Sequence, residues 1–189
     1  LKKRYPNLIH SSKIFTNTDM SLGFFTKVGG YSNKNFSSLN CSFKSGDDKI
    51  SVKKNILTAQ KKLLIEKKKL KFVNQVHSNK LIIVDKSNYF DDFDADGMIT
   101  QDRNISLAVL TADCCPIIIF DDESKFICCL HAGWKGVYNN IIKNAIHQII
   151  KIQPNFNKIK AVIGPCLNKK NFEVSKEFKS NFIRINSNY

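Results

Sequence analysis

Residues 107–137, LAVLTADCCPIIIFDDESKFICCLHAGWKGV, restrict the possible folds of this chain more than any other stretch. Two apolar runs, residues 116–120 and 126–130, flank the charged segment 121–125, the pattern of two buried strands joined by a short turn. A hairpin centred on Glu123 sets residue 115 opposite residue 131. The Cys114-Cys115 pair and His131 then meet at the open end of the ladder, roughly 5 Å apart across the strands. Thiol and imidazole are both metal ligands, and together they also make a nucleophile and its base.

A length of 189 residues and a hydrophobic fraction of 42% fit one domain with a sizeable core. No apolar run reaches the roughly 18 residues that cross a bilayer, and no apolar segment follows the basic start LKKRYPNLIHSSK as in a signal peptide. The expectation is a cytoplasmic protein without membrane partners. The six cysteines include two adjacent pairs inside apolar strands, which reads as reduced thiols; Cys128 and Cys129 are expected to fill the core. The formal charge of +14 raises nucleic acid as a partner. The lysines, however, are spread along the whole chain without RNA-binding or zinc-finger motifs, so no specific nucleic-acid partner is expected.

Upstream, residues 23–32 read as a strand ending at the Gly29-Gly30 turn, and residues 48–66 as a helix capped from within Ser45–Asp48. Its face of Val52, Ile56, Ala59 and Leu63 is expected to pack on a sheet. Residues 72–77 read as a strand delivering His77 at its end, and residues 81–84 as another strand. The acidic run 91–96 lacks the twelfth-position Glu of an EF-hand, so Asp94 and Asp96 are expected in a surface turn before strand 98–100, with a place facing the site as the alternative for either. Residues 137–152 read as one helix burying Val137, Ile141, Ala145 and Ile149 with Ile142, Ile146 and Ile150 alongside, and leaving His147 exposed. Residues 159–163 read as a strand, 164–166 as a turn and the rest as a charged segment. Interleaved strands and helices imply a layered α/β or α+β architecture.

Residue types leave two chemistries open. His77, one of the paired cysteines and His131 could hold Zn²⁺ with water at the fourth position. Alternatively, the cysteine is a thiolate nucleophile activated by histidine.

Gly23-Phe24-Phe25-Thr26, Gly29-Gly30-Tyr31-Ser32, Ser38-Leu39-Asn40, Gln75-Val76-His77, Ala95-Asp96-Gly97, Thr111-Ala112-Asp113-Cys114, His131-Ala132-Gly133-Trp134-Lys135-Gly136, Ile163-Gly164-Pro165-Cys166 and Phe172-Glu173-Val174 resemble, in order, the blocks of the YfiH family. These are the bacterial relatives of the human protein FAMIN, also classed as laccase-domain proteins or polyphenol oxidoreductases. TADC followed by HAGW carries most of the specificity. The resemblance implies an α+β fold, a layered α/β/β/α sandwich of mixed sheets, formed by a single domain over residues 1–189. It also implies a C-terminal strand and helix in relatives that lie beyond Tyr189. The implied activity is purine nucleoside phosphorolysis of adenosine, inosine, guanosine and methylthioadenosine, with adenosine deamination alongside. By motif, the implied catalytic and metal-binding residues are His77, Cys114 and His131, with zinc, or copper, as cofactor.

Ser78 stands where relatives usually carry glycine, and Lys135 stands where they carry arginine, so a bidentate phosphate contact would become a point-charge contact. Lys135 and Lys27 are the candidates for phosphate. The rival functions are a cysteine hydrolase or peptidoglycan-editing amidase using Cys114 covalently, a copper-dependent phenol oxidase, and, from charge alone, a nucleic-acid-binding module. The oxidase ranks below the phosphorylase because one His/Cys/His set offers too few ligands for four-electron oxygen chemistry.

Overall fold

The structure is a computed structural model and describes residues 8–9, 20–121, 123, 125–155 and 158–185. It is α+β with mixed sheets, as expected. The hairpin is its centre: β7 (Cys115–Asp121) and β8 (Ile127–Ala132) pair antiparallel inside a five-stranded sheet. The order in that sheet is β4 (Leu81–Ile83), β5 (Gly97–Thr100), β8, β7 and β9 (Ile159–Ile163). β4 and β5 run parallel and the other pairs antiparallel, so the sheet is mixed. A run of β-branched residues stiff at χ1, Ile117-Ile118-Ile119, favours the extended form of β7. β8 sits between two partners and is buried from Cys128 to Ala132.

The hairpin register corrects the sequence expectation by one residue. His131 faces Pro116, and Cys115 faces Ala132. Asp121 is the reason: it belongs to β7, is buried, and its carboxylate accepts N–H bonds from Lys125 (2.6 Å) and Phe126 (3.4 Å). The turn is thereby displaced from a centre on Glu123.

One face of the sheet is covered by α3 (Ile141–Ile152), whose Ile141, Ala145 and Ile149 pack with Ile99, Ile117, Ile119, Cys128 and Leu130. Each such aliphatic side chain contributes about 1.5–3 kcal/mol by leaving water. The expected single helix 137–152 is two: α2 (Trp134–Tyr138) ends at Asn139, and Asn140 is left-handed with φ 62°. Asn tolerates that conformation better than most residues. The break turns Val137 to solvent, and Ile142 and Ile150 are also largely exposed, so the buried stripe is narrower than expected. His147 is exposed, as expected.

On the opposite face lies a cavity of about 960 Å³ lined by Ile118 and Cys129 of the sheet, by Ile56 of α1 (Lys49–Lys62) and by Leu63, which caps that helix. Leu70 and Leu107, from the parallel pair β3 (Lys69–Lys71) and β6 (Ile105–Leu107), complete this apolar lining. Asp48 caps α1 through the Ile50 and Ser51 N–H groups, which gives that helix N-terminus an acidic occupant rather than an anion site. α1 departs from the expected sheet-packing helix. Its buried Asn55 accepts from Tyr31 N–H (2.7 Å) and donates to Ser32 Oγ (2.8 Å) and Asn40 O (2.7 Å), tying the helix to the 31–40 loop.

β1 (Leu8–Ile9) pairs with β2 (Phe24–Phe25), which is all that forms of the expected strand 23–32. The C-terminal segment, read only as charged, holds α4 (Lys176–Ile185). Its Phe178 and Phe182, one turn apart, meet the edges of Trp134 (4.9 Å) and Tyr138 (5.1 Å) respectively, each pair adding about 0.5–1.5 kcal/mol beyond burial.

Candidate metal centre

Three segments converge at the end of the hairpin away from its turn. His131 is the penultimate residue of β8, Cys114 immediately precedes β7, and His77 comes from the loop between β3 and β4. One ligand atom from each lies within 4.8 Å of the others. Cys114 Sγ is 3.8 Å from His77 Nε2, and the two imidazole rings meet edge to face with centroids 4.8 Å apart. His131 is buried, Cys114 half-buried and His77 exposed, so the cluster opens to solvent on the His77 side.

The strand expected over residues 72–77 does not form; β3 ends at Lys71. His77 instead sits in the left-handed region with φ 57°, a conformation that a non-glycine residue holds only against strain. The restraint is Asp96. Its Oδ1 accepts from His77 N–H (3.0 Å), and its Oδ2 from Ser78 N–H (2.5 Å), Ser78 Oγ–H (2.8 Å) and Val76 N–H (3.3 Å). The same Oδ1 accepts from His131 Nδ1 (2.7 Å), while His131 N–H donates to Asp96 O (2.7 Å). One carboxylate thus fixes both histidines.

Asp96 was expected in a surface turn, and its side chain is fully buried. Burial pushes its carboxyl up, but hydrogen bonds from His131, Ser78 and the His77 backbone outweigh that and leave it below the usual carboxylate range. Because a carboxylate only accepts, His131 carries its proton on Nδ1 and presents Nε2 to the centre. Asp96, read as a surface-turn residue that could still face the site, is instead the buried acceptor shared by both histidines.

The glycines of the HAGWKG segment allow close approach. A Cβ at Gly133 would stand 3.0 Å from His77 Cδ2 and 3.2 Å from Cys114 Sγ, and one at Gly136 would stand 2.9 Å from Ser78 O. Gly133 has φ −70° and ψ 164°, which alanine adopts freely, so Gly133→Ala tests crowding alone. The expected result is an unchanged thermal midpoint with metal affinity lowered about 10–100-fold, read by competition with a chelating indicator.

The donor set suits a metal. Bonds of about 2.0–2.3 Å to tetrahedral zinc separate the ligand atoms by roughly 3.3–3.8 Å, and the Cys114–His77 pair already stands at 3.8 Å. Burial, followed by the negative charges of Asp113 and Asp96, raises the Cys114 thiol above its ordinary value. An activated thiolate nucleophile needs the opposite shift. Lys135 is exposed beside the cluster, with Nζ 5.6 Å from the Trp134 ring centroid, whereas Lys27 lines the large cavity. Cys115 is half-buried and packs against the α3-side core. Among the described residues no helix is long and apolar enough to cross a membrane.

Comparison with known proteins gives the family. Purine nucleoside phosphorylase RC0672 of Rickettsia conorii is 39% identical over 111 residues, 59% of this chain and 45% of that protein. Purine nucleoside phosphorylase SCO2081 of Streptomyces coelicolor is 30% identical over 161 residues, 84% of this chain and 66% of that protein. The chain therefore spans about half to two thirds of the curated relatives it matches. Among solved structures, Bacillus licheniformis YfiH superposes with a TM-score of 0.77 at 29% identity, covering 86% of this chain and 64% of that one. Neisseria meningitidis NMB0706 gives a TM-score of 0.76 at 26% identity, covering 88% and 66%. The family model described as multi-copper polyphenol oxidoreductase laccase matches residues 21–189, and the chain belongs to that family, the laccase-domain or YfiH proteins.

Proposed function

We propose that this chain carries the active centre of a purine nucleoside phosphorylase that cleaves adenosine, inosine, guanosine and methylthioadenosine to the free base and (methylthio)ribose 1-phosphate, with adenosine deamination as a second activity. The observation that carries the reading is the convergence of His77, Cys114 and His131 on one solvent-reached point, held by Asp96. The names of the relatives support it.

His77 Nε2, Cys114 Sγ and His131 Nε2 would hold zinc, or copper. Bound there, the metal supplies Lewis acidity and lowers the pKa of water, which serves hydrolytic removal of the adenine amino group. In phosphorolysis, phosphate attacks the anomeric carbon of the ribose as the bond to the purine nitrogen breaks. Lys135, exposed at the rim, offers phosphate a point charge. The exposed His77 edge admits the nucleoside, and the Asp96 bonds keep both imidazoles from reorienting as charge moves.

The raised Cys114 thiol weighs against the hydrolase alternative. Among the described residues, this is the one group of three or more His, Cys, Asp or Glu side chains suited to a metal, against the several coppers that oxygen reduction requires. The test supplies inosine and phosphate to the zinc-loaded protein and follows products by chromatography. Equal amounts of hypoxanthine and ribose 1-phosphate are expected. Absence of both, with and without metal, would sink the proposal.

A further inference from the structure

The cavity between the sheet and α1 runs the length of the β7–β8 hairpin. At one end it reaches Phe24 and Pro116, which faces His131; at the other it reaches Thr100, which faces Ile127 beside Phe120. The strand from Pro116 to Phe120 spans about 14 Å. The volume of about 960 Å³ is within the roughly 300–1,000 Å³ of ligand pockets, and Ile56, Leu70, Leu107 and Ile118 make its body apolar.

Polar groups gather at the end away from the metal centre. Backbone bonds tie them there: Ile65 N–H donates to Gln60 O (3.0 Å), Lys68 N–H to Ile65 O (2.9 Å), and Lys69 N–H to Asn104 O (2.9 Å), next to Arg103. Gln60 is only 8% exposed and lines the cavity, and among the described residues its side-chain amide has no hydrogen-bond partner. The Ser106 hydroxyl, equally buried in the same lining, has none either. Protein interiors leave few such groups unpaired, so two of them facing one cavity point to a ligand. Lys68, half-buried, and Arg103, exposed, also line this end, and among the described residues neither forms an ion pair. Their neighbour Asp102 turns its carboxylate to Asn104 N–H (2.8 Å).

We propose that this cavity binds a single-chain amphiphile with an anionic head, a long-chain alkyl carboxylate, at a site separate from the metal centre. The alkyl chain lies along Leu107 and Ile118 toward Phe24, and the carboxylate sits at the basic end. There it accepts from the Gln60 amide N–H and the Ser106 hydroxyl, while Lys68 and Arg103 face it from the rim. Lys68 reaches the head because its methylene stem rests on apolar surface while the ammonium stays at the edge. A plain hydrocarbon would leave Gln60 and Ser106 unpaired, and a cationic amphiphile would meet two like charges, so the head selects the ligand. His77, Cys114 and His131 take no part in holding it, and binding needs no metal.

The experiment needs no nucleoside turnover, so its outcome is independent of the phosphorylase reading. Delipidated protein is titrated with dodecanoate, dodecanol and dodecyltrimethylammonium below their micelle concentrations; native mass spectrometry counts bound ligand and calorimetry gives affinity. One dodecanoate per chain is expected, bound at least about 10-fold more tightly than either of the others. The double variant Lys68→Glu, Arg103→Glu and the single variant Gln60→Leu should each weaken dodecanoate about 10-fold or more. Gln60→Leu should also raise the urea midpoint of the ligand-free protein, because it removes an unpaired buried amide, whereas a merely structural Gln60 would make the same change destabilising. Leu107→Trp, checked for folding by circular dichroism, should block uptake by filling the cavity. No binding of dodecanoate, equal uptake of all three amphiphiles, several dodecanoates per chain without saturation, or unchanged affinity in both the charge-reversed protein and Gln60→Leu would overturn the proposal.

Discussion

Replacing Cys114 with Ala is expected to strip zinc from the purified protein and to lower inosine phosphorolysis by about 10³-fold or more, with little change in stability. Two facts separate the effects. Cys114 is half-exposed and precedes β7, so deleting its sulfur opens no core cavity and costs about 1 kcal/mol or less. The centre, by contrast, loses one of three donors, and two imidazoles alone leave a weak and poorly directed site. His131→Ala should match the loss of turnover but unfold more readily. It removes one of the two hydrogen bonds to the buried Asp96 Oδ1, leaving only that from His77 N–H, and empties a buried position, at a cost of about 1–3 kcal/mol. Metal content by elemental analysis, product formation and urea unfolding on the same preparations check all three statements. A Cys114→Ala protein that keeps zinc and turns over normally would remove Cys114 from the centre.

The raised Cys114 thiol adds a pH signature. At neutral pH the metal-free sulfur holds its proton, and binding must release it, so zinc affinity should rise with pH and the proton released by the thiol should be missing in Cys114→Ala. Proton release on zinc addition, measured in a weakly buffered solution, reads this directly.

What the sequence made legible follows from what is encoded locally. The hairpin could be read because two apolar runs bracket a charged one, and α3 because Ile141, Ala145 and Ile149 repeat at helical spacing. The register could not, because it depends on Asp121 folding back on Lys125 and Phe126, a tertiary choice that composition does not announce. That single step decides which cysteine stands nearest the histidines. With residue 115 opposite 131 the ladder favoured Cys115; the observed shift leaves it facing Ala132, and Cys114 turns to His77. The break at Asn140 and the helix α4 escaped for a related reason. A left-handed residue looks like any other polar one, and Phe178 and Phe182 were hidden among charges.

Asp96 shows the same limit and supports the second large effect, that Asp96→Ala should cost about 3–5 kcal/mol and abolish metal binding together. An Asp-Gly dipeptide between strands reads as a turn, yet this carboxylate is the shared acceptor for His131, Ser78 and the backbone at residues 76–78. Removing it leaves a buried imidazole N–H and three backbone donors unpaired, and releases His77 from its left-handed backbone. Asp96→Asn separates shape from charge: the fold should survive with a smaller loss, while zinc affinity falls about 10–100-fold because His131 Nδ1–H loses its anionic partner. Acid supplies an independent reading. The Asp96 carboxyl lies below its unfolded value, so the unfolded chain binds the proton more readily and stability rises with pH across that window. The contribution should be complete above about pH 4 and disappear as pH falls through the folded value. Urea midpoints collected between about pH 2 and pH 6 should therefore decline less steeply in Asp96→Asn than in the parent. Parallel curves would show that the charge at residue 96 does not hold the site together.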